Sequence, residues 1–242
     1  MGNDYYDIHC HILPHVDDGS PSTAMSEDML RIAHENGIRH IVLTPHYKIG
    51  RFELTREEIY DQYRLFVARM EEKFPDMEFF FGREIFFGEE IMDLLQDNVI
   101  STINDTDYVL IEFHPSADVS YIAESLYKIE NAGYTPILAH IERYPDLLKN
   151  IKMIEQIIES GAYIQSNATS VVGKLGGTVK RLLLKLLKRD MIHFIGTDAH
   201  SNRTRAPYME ECAAYLAKKL GQDKARKLLY DNPKKMLNNE YI

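Results

Sequence analysis

The sequence predicts an α/β fold with a distorted seven-stranded barrel, on three observations. Short apolar runs rich in β-branched and aromatic residues recur seven times along the 242 residues. Longer segments with helical spacing separate them, which indicates parallel strands in either an open sheet or a barrel. Every run ends in a polar residue, and barrel strands bring such ends together at one face. This pattern favours the barrel, and seven strands instead of eight suggest an incomplete or distorted one.

The predicted strands follow one another at fairly regular intervals. In chain order they are YYDIHCHI, RHIVLTPH, MEFFFGREI, DYVLIEF, YTPILAH, AYIQSN and MIHFIGTD. Segments such as SEDMLRIAHENG, with Gly37 as its stop signal, show helical spacing between them. We find no Gly/Ser linker, internal repeat or low-complexity segment, so residues 1–242 are predicted to form a single domain.

Composition excludes several classes of protein. The formal net charge of −9 opposes binding to nucleic acid or to anionic membranes. Cys10 and Cys212 are too few for a disulfide framework, so a reducing cytoplasm is expected. No signal peptide and no apolar stretch near the ~20 residues of a membrane-spanning helix are present, which predicts a soluble protein.

The first predicted strand carries a His-x-His pair. Side chains alternate along a strand, so His9 and His11 project to one side and Cys10 to the other. Imidazoles at this spacing suit a divalent metal, and Asp7 is expected to orient one of the rings. Taken alone, this motif is about as often structural as metal-binding.

The other strand ends supply further candidate ligands. Glu84 and Glu112 follow apolar strands, where an unpaired charge is costly, and carboxylates commonly bridge two metal ions. A salt bridge between Glu84 and its neighbour Arg83 is the structural alternative. Nine candidates result, too many for one ion: His9, His11, Asp18, His46, Glu84, Glu112, His140, Asp198 and His200.

The segments DIHCHILPHVDDG, TPHY, GREI, LIEF, AHIERY and GTDAH resemble the polymerase-and-histidinol-phosphatase (PHP) superfamily. Within it, the chain is similar to the bacterial manganese-dependent protein-tyrosine phosphatases of capsule and exopolysaccharide loci. The resemblance covers essentially the whole chain. It implies a PHP-type distorted barrel of seven strands, a metal cluster and hydrolysis of phosphotyrosine on proteins.

The resemblance also distributes the nine ligands over up to three ions, with Glu84 bridging the first two. The first set is His9, His11, Glu84 and Asp198; the second is Glu84, Glu112 and His140; the third is Asp18, His46 and His200. Manganese is the metal it implies. The donor atoms themselves would also accommodate iron, cobalt or zinc.

Two arginines match positions that bind phosphate in the family, Arg143 in AHIERY and Arg205 in NRTRAP. A guanidinium fork grips two phosphate oxygens and neutralises charge in the transition state. The residues leave the roles of Arg203 and Arg205 interchangeable. The hypothesis is attack by a metal-bound hydroxide, with His200 or His114 as an assisting group.

The remaining histidines carry no assigned chemistry. His114 lies in EFHPSADVSY, where the sequence departs from the family, and is interpreted as a solvated loop residue. His15 lies near the ligands without a role. Three others are interpreted as structural: His34, His40 and His193.

Alternative functions differ in the residues that they require. Cysteine-based phosphatase chemistry needs a Cys-x5-Arg loop, but Val16 follows Cys10 and Lys218 follows Cys212 at that spacing. Histidinol-phosphate phosphatase or another small-molecule PHP enzyme would share nearly all ligands. An idle metal-binding module would bind metal without turnover. Nucleic-acid hydrolysis is the least favoured at this charge.

The stretch KLGGTVKRLLLKLLKR is interpreted as a barrel helix with a solvated basic face. Docking to an acidic tail or membrane surface is the alternative. The family resemblance implies, as partner, a membrane-anchored tyrosine kinase with a phosphorylated, tyrosine-rich tail, met at the inner face of the membrane. The oligomeric state is left open, a homo-oligomer included.

Overall fold

The predicted alternation of strands and helices is present in the computed structural model, which describes residues 4–242. The strands are β1 Tyr5–Cys10, β2 Ile38–Leu43, β3 His46–Tyr47, β4 Glu78–Phe81, β5 Glu84–Phe86, β6 Tyr108–Glu112, β7 Thr135–Leu138, β8 Tyr163–Asn167 and β9 Phe194–Gly196. The longer helices are α1 Thr23–Glu35, α2 Arg56–Lys73, α4 Val119–Asn131, α6 Ile151–Glu159, α8 Gly177–Lys188 and α9 Glu210–Leu220. Shorter helices are α3 Ile91–Gln96, α5 Pro145–Lys149, α7 Ala168–Val172, α10 Gln222–Arg226 and α11 Asn232–Leu237. The α/β class is confirmed.

Parallel pairing curls the sheet. The strands pair in the orders β1-β2-β4 and β3-β5-β6-β7-β8-β9, and every one of these pairings is parallel. The first and last strands of the chain, β1 and β9, also meet. The amide of Asp198 donates to the carbonyl of His9 at 2.7 Å, and the amide of His11 donates to the carbonyl of Ala199 at 2.8 Å. The carboxyl ends of the first and last strands therefore lie side by side.

The predicted count of seven strands is not confirmed, because nine strand segments are present in residues 4–242. The second and third apolar runs are each divided, at Thr44-Pro45 and at Gly82-Arg83. Proline has no amide hydrogen to donate to a ladder. At the same level, the amide of Gly82 donates to Leu43 and that of Glu84 to the carbonyl of Pro45, so the two breaks lie next to each other.

Buried apolar side chains pack on both faces of the curled sheet. Strand β6 shows the division: Val109 and Ile111 belong to the large cluster under the helices. Tyr108 and Leu110 belong to a smaller cluster on the inner face, which also contains Leu237 of α11. Because side chains alternate, the next inner-facing residue of β6 is polar, and it is Glu112.

Helix α8 is amphipathic, as interpreted, and its buried leucines belong to the large apolar cluster. Leu183, Leu186 and Leu187 are buried, whereas Arg181 and Lys185 are exposed. Lys180 is half-buried, and its ammonium donates to the carbonyl of Val172 at 2.9 Å. The basic face therefore needs no partner to explain its sequence.

Arg83 connects the two strand breaks. Its side chain is buried, at 1% exposure, and it donates to three carbonyls: Pro45 at 3.2 Å, Leu54 at 2.9 Å and His46 at 2.7 Å. The guanidinium thus holds the segment that presents His46 instead of forming the salt bridge with Glu84 that the structural alternative required. Burial lowers the pKa of Arg83 to about 10, so it stays charged at neutral pH.

We expect Arg83→Leu to lower the free energy of unfolding by roughly 2–4 kcal/mol, because the three carbonyls would lose charged donors in a buried place. Urea denaturation measures this change. Arg64→Leu, an exposed arginine of α2, is the control and should shift stability by less than about 0.5 kcal/mol. Equal stability of both variants would show that the carbonyls of Pro45, His46 and Leu54 do not depend on Arg83.

Candidate metal centre

An irregularity in β1 places two histidines inside the curled sheet. The register between β1 and β2 shifts between Asp7 and Cys10, which turns the side chains that follow. His9 and His11 are both fully buried. Gly196 of β9 allows this approach, since a Cβ at that position would lie 2.7 Å from the Cβ of His9.

The first cluster of donor atoms consists of His9, His11, Glu84 and Asp198. The Nε2 atoms of both imidazoles lie 3.1 Å from Glu84 Oε2, 3.2 Å from each other and 3.6 Å from Asp198 Oδ1. Ligand atoms bonded to one ion at roughly 2.1 Å and at angles of 90–109° lie roughly 3.0–3.4 Å apart. The spacing of these four groups fits a shared ion.

A second group of donors adjoins the first through Glu84. His140 Nε2 lies 2.8 Å from Glu84 Oε1 and 3.4 Å from Glu112 Oε1. Glu84 thus presents one oxygen to His140 and the other to the first cluster. Such a carboxylate has the geometry of a bridge between two ions.

Donors of a third group lie nearer the surface. His46 Nε2 is 3.4 Å and His200 Nε2 is 3.8 Å from Asp18 Oδ1. Asp18 is 44% exposed, in contrast to the buried first cluster. The imidazoles of His11, His46 and His200 also form a group of their own, and His46 Nδ1 reaches Glu84 Oε2 at 3.1 Å. The site is therefore a continuous set of donors that runs from the interior to the rim.

Two orienting residues, Asp17 and Gln165, were missed from the sequence. Asp17 Oδ2 lies 2.7 Å from His11 Nδ1 and accepts from the amide of His46 at 2.9 Å. Gln165 Oε1 lies 3.3 Å from His9 Nδ1 and accepts from the amide of His140 at 2.6 Å. These partners hold each ring with its other nitrogen towards the cluster. The sequence offered one signal, an aspartate beside the candidate Asp18.

The expectation that Asp7 orients a histidine ring is wrong. Asp7 accepts from the backbone amides of His9 at 3.2 Å and Thr197 at 2.9 Å, and from the hydroxyl of Thr197. The register shift removes it from the alternation that the prediction assumed. Asp7 instead joins β1 to the end of β9.

Burial and neighbouring carboxylates shift the pKa values of the imidazoles in opposite directions. Burial lowers the pKa of His46 and of His200, which keeps both rings neutral, the form that binds metals. Burial alone would also lower the pKa of His11 and His140. Asp17 and Glu84 instead raise that of His11 to about 10, and Glu112 and Glu84 raise that of His140 to about 9.

Both predicted arginines reach the site through Asp198. Arg205 Nη2 donates to Asp198 Oδ1 at 2.6 Å. Arg143 contacts Asp198 Oδ2 and lies 3.4 Å from Glu112 Oε1. Burial would lower the pKa of Arg143, but Asp198, Glu84 and Glu112 raise it. Arg203 is exposed and its amide donates to Ser201, so the geometry favours Arg205 over Arg203.

The other histidines lie outside this cluster. His114 is exposed and its Nδ1 lies 2.7 Å from the hydroxyl of Ser116. His15 is also exposed. The three histidines interpreted as structural each have a structural partner: His34 pairs with Asp76, His40 lies between Asp4 and Glu78, and His193 accepts from the amide of Ile164.

The family model for capsular polysaccharide synthesis, CpsB/CapC, matches residues 5–238. The chain belongs to this family. The resemblance stated from the motifs is thereby confirmed, and the match covers all nine candidate ligands of this CpsB/CapC protein, from His9 to His200.

Named relatives of this CpsB/CapC protein match over nearly their whole length. Tyrosine-protein phosphatase CpsB of Streptococcus pneumoniae is 34% identical over 241 residues, which are 98% of this chain and 99% of the relative. Tyrosine-protein phosphatase YwqE of Bacillus subtilis is 34% identical over 238 residues, 98% of this chain and 92% of the relative.

Solved structures agree with these relatives. A crystal structure from work on B. subtilis YwqE and S. pneumoniae CpsB, described as unique metal-dependent tyrosine phosphatases, gives a TM-score of 0.91 at 32% identity, covering 98% of this chain and 96% of that one. Histidinol phosphate phosphatase of Lactococcus lactis, complexed with zinc, L-histidinol and phosphate, gives 0.62 at 13% identity over 91% of this chain and 93% of its own. The second similarity shows the fold alone. Within residues 4–242 of the CpsB/CapC protein, no helix has the length and apolar character needed to cross a membrane.

We expect metal binding to this CpsB/CapC protein to release protons, because His11 and His140 are protonated at neutral pH when their pKa values are raised. The apparent affinity should therefore rise with pH, about tenfold per unit for each proton displaced, until the pH passes those pKa values. Calorimetric titration of Mn²⁺ in buffers of different ionisation enthalpy counts the protons.

Asp17→Asn should release fewer protons, since it removes a carboxylate that raises the pKa of His11. Asp28→Asn changes an acid of α1 whose side chain is 44% exposed and which belongs to none of the donor clusters within residues 4–242, so it is the control. Equal proton release by wild type and Asp17→Asn would contradict the assignment of Asp17.

Proposed function

We propose that this chain is a metal-dependent phosphomonoesterase that hydrolyses phosphotyrosine on proteins. The observation that carries the proposal is the convergence of two arginines on the same carboxylate, Asp198, that completes the first donor cluster. Membership of the CpsB/CapC family and the names of its relatives support the reaction class.

The donor set fits divalent ions. Glu84 Oε2 is buried and has no hydrogen-bond partner within residues 4–242, although three imidazole nitrogens lie 3.1 Å away. We propose the three ligand sets that the family resemblance implies, with Glu84 bridging the first two and manganese as the metal. When bound, such ions polarise phosphoryl oxygens and supply positive charge where the transition state becomes more negative.

Arg143 and Arg205 are proposed to bind the phosphate. Their side chains are 32% and 42% exposed, so both can move partly away from Asp198. Each can then donate to an oxyanion in the recess, by which we mean the place beside Asp198 and the buried first donor cluster. A bidentate guanidinium contact fixes the orientation of the phosphoryl group and offsets charge on its equatorial oxygens. A carboxylate shared between two arginines keeps them charged and pre-positioned.

The burial of the inner donors favours a long substrate side chain. His9, His11, Glu84 and His140 are all at 0% exposure, so a phosphate must reach past the rim to lie near them. A tyrosyl side chain is longer than a seryl one. Its leaving group has a pKa of about 10, which reduces the need for a proton donor.

His200 is proposed mainly as a ligand. Its Nδ1 donates to the carbonyl of Asp198 at 3.0 Å, which leaves Nε2 as the atom that faces Asp18. His114, bonded to Ser116 and exposed, is proposed to remain a solvated loop residue. The side chains of the site are therefore proposed to act chiefly by binding the metal ions and by orienting the phosphoryl group.

We also propose that the substrate is the tyrosine-rich tail of a membrane-anchored kinase of the capsule or exopolysaccharide system, met in the cytoplasm. The description of the family as one of capsular polysaccharide synthesis supports this pathway. The two cysteines, both free and buried, are compatible with a reducing compartment.

We expect metal-stripped protein, once Mn²⁺ is restored, to release phosphate from a phosphotyrosyl peptide at least about tenfold faster than from a phosphoseryl peptide or histidinol phosphate. Preference for histidinol phosphate would retain the site and overturn the substrate. Bound metal without turnover of any ester would instead indicate an idle binding module.

Arg205→Ala should lower kcat/KM for the phosphotyrosyl peptide about a hundredfold, the usual effect of removing one oxyanion-stabilising donor. Arg203→Ala, two residues away and exposed, should change it by less than about twofold. Steady-state kinetics of the two manganese-loaded variants decide between them, and the opposite ranking would assign the phosphate to Arg203.

A further inference from the structure

A tight hairpin follows β3 at the rim of the metal centre. The amides of Lys48 and Phe52 donate to each other's carbonyls, at 2.9 and 2.8 Å. Gly50 allows the turn through its φ of 78°, which other residues rarely adopt. The backbone of the hairpin therefore fixes where the side chains at positions 51 and 52 lie.

These two side chains are directed to the candidate metal ligands. The ring of Phe52 is stacked on the imidazole of His46, with centroids 5.8 Å apart and planes 9° apart. The guanidinium of Arg51 lies over the Phe52 ring, 4.7 Å from its centroid. Arg51 Nη2 is also 3.3 Å from Asp18 Oδ2. Arg51 is thus a third arginine paired with a candidate ligand carboxylate.

Arg51 lies farther out than the other two arginines. Arg143 and Arg205 contact Asp198, which is 3% exposed, whereas Arg51 contacts Asp18 at the rim and is itself 58% exposed. A phosphate held between Arg143 and Arg205 would leave Arg51 outside the recess. Arg51 therefore lies where it can contact the parts of the substrate that surround the phosphotyrosine.

An open cleft of about 490 Å³ lies beside Arg51, between the hairpin and His15. Two carboxylates also line it, Glu53 and Glu58. Glu58 accepts from the amide and hydroxyl of Thr55 at the start of α2, so its charge is partly engaged. The cleft is therefore lined by one guanidinium, which lies next to Asp18 of the metal centre, and by two carboxylates, one of them engaged with Thr55.

We propose that this cleft binds the polypeptide beside the phosphotyrosine, and that Arg51 pairs there with a carboxylate side chain of the substrate. The inference rests on the proposed function. The net charge of −9 and the two carboxylates of the cleft oppose an acidic segment at other points, so Arg51 selects where a substrate carboxylate can lie. An ion held by Asp18 would neutralise the carboxylate that now pairs with Arg51. The guanidinium would then be available to bind a substrate carboxylate.

The test compares three substrates with the manganese-loaded full chain: an acidic phosphotyrosyl peptide, the same peptide with flanking Asp and Glu changed to Asn and Gln, and p-nitrophenyl phosphate. Arg51→Ala should raise KM for the acidic peptide about threefold with unchanged kcat, and leave the other two substrates unaffected. Arg51→Glu should raise it about tenfold, and Arg51→Lys should retain most of the affinity. The effect should fade at high salt.

Binding supplies a second readout that needs no turnover. Fluorescence anisotropy with the acidic peptide carrying a non-hydrolysable phosphonate should show the same threefold loss in Arg51→Ala. Arg181→Ala is the matched control, because among residues 4–242 the side chain of this exposed arginine of α8 hydrogen-bonds only to Thr178 of its own helix.

The outcomes separate the two proposals. Active protein in which Arg51→Ala changes nothing overturns the inference. Equal loss with all three substrates also overturns it, since Arg51 would then bind the phosphate. Absence of phosphotyrosine hydrolysis in wild type, with Arg51-dependent binding of the phosphonate peptide intact, would reject the proposed reaction and retain the cleft.

Discussion

Glu84 sets the constraint on which the site depends. Its carboxylate is fully buried, and four imidazoles surround it: His9, His11 and His46 at 3.1 Å and His140 at 2.8 Å. Burial alone would raise its pKa, but the histidines lower it well below its usual range. A buried carboxylate costs several kcal/mol unless opposite charge lies close by. The surrounding strands therefore have to bring that charge to one point.

The arrangement of strands meets this requirement. Parallel pairing delivers Glu84 and Glu112 at neighbouring levels, and the contact between β1 and β9 delivers His9 beside Asp198. His140 and Asp198 both adopt left-handed backbone conformations, with φ of 33° and 52°. Such conformations cost of order 1–3 kcal/mol each and occur where the chain must turn a functional side chain into a site.

Much of this arrangement could be predicted from the sequence, because the apolar runs and the polar residues that end them are local signals. Apolar runs ending in His, Glu or Asp report strand ends one at a time, and a parallel α/β fold brings strand ends together. The division of these residues into three ligand sets rests on the family motifs and stays a prediction. Residues such as Gln165 could not be predicted, since a glutamine within a buried strand acquires its role from the register of β7, β8 and β9.

The failures of sequence reasoning also have physical causes. Strict alternation placed Asp7 on the same face as His9, but the register shift in β1 breaks that alternation. Continuous apolar runs predicted continuous strands, but Arg83 binds three carbonyls across the breaks and stabilises an interruption that no periodicity shows. The register shift and the strand interruption both depend on contacts between segments that are distant in the sequence.

The contact between β1 and β9 bears on how the protein is made. His9 and Asp198 are separated by 189 of the 242 residues, yet they belong to one donor cluster. A nascent chain exposes the His-x-His pair at the start of translation and completes the cluster only after the last strand has been synthesised. Non-local parallel pairing also forms late in folding. The four-donor site is therefore a property of the finished fold, and the His-x-His pair alone offers a nascent chain only two of the four donors.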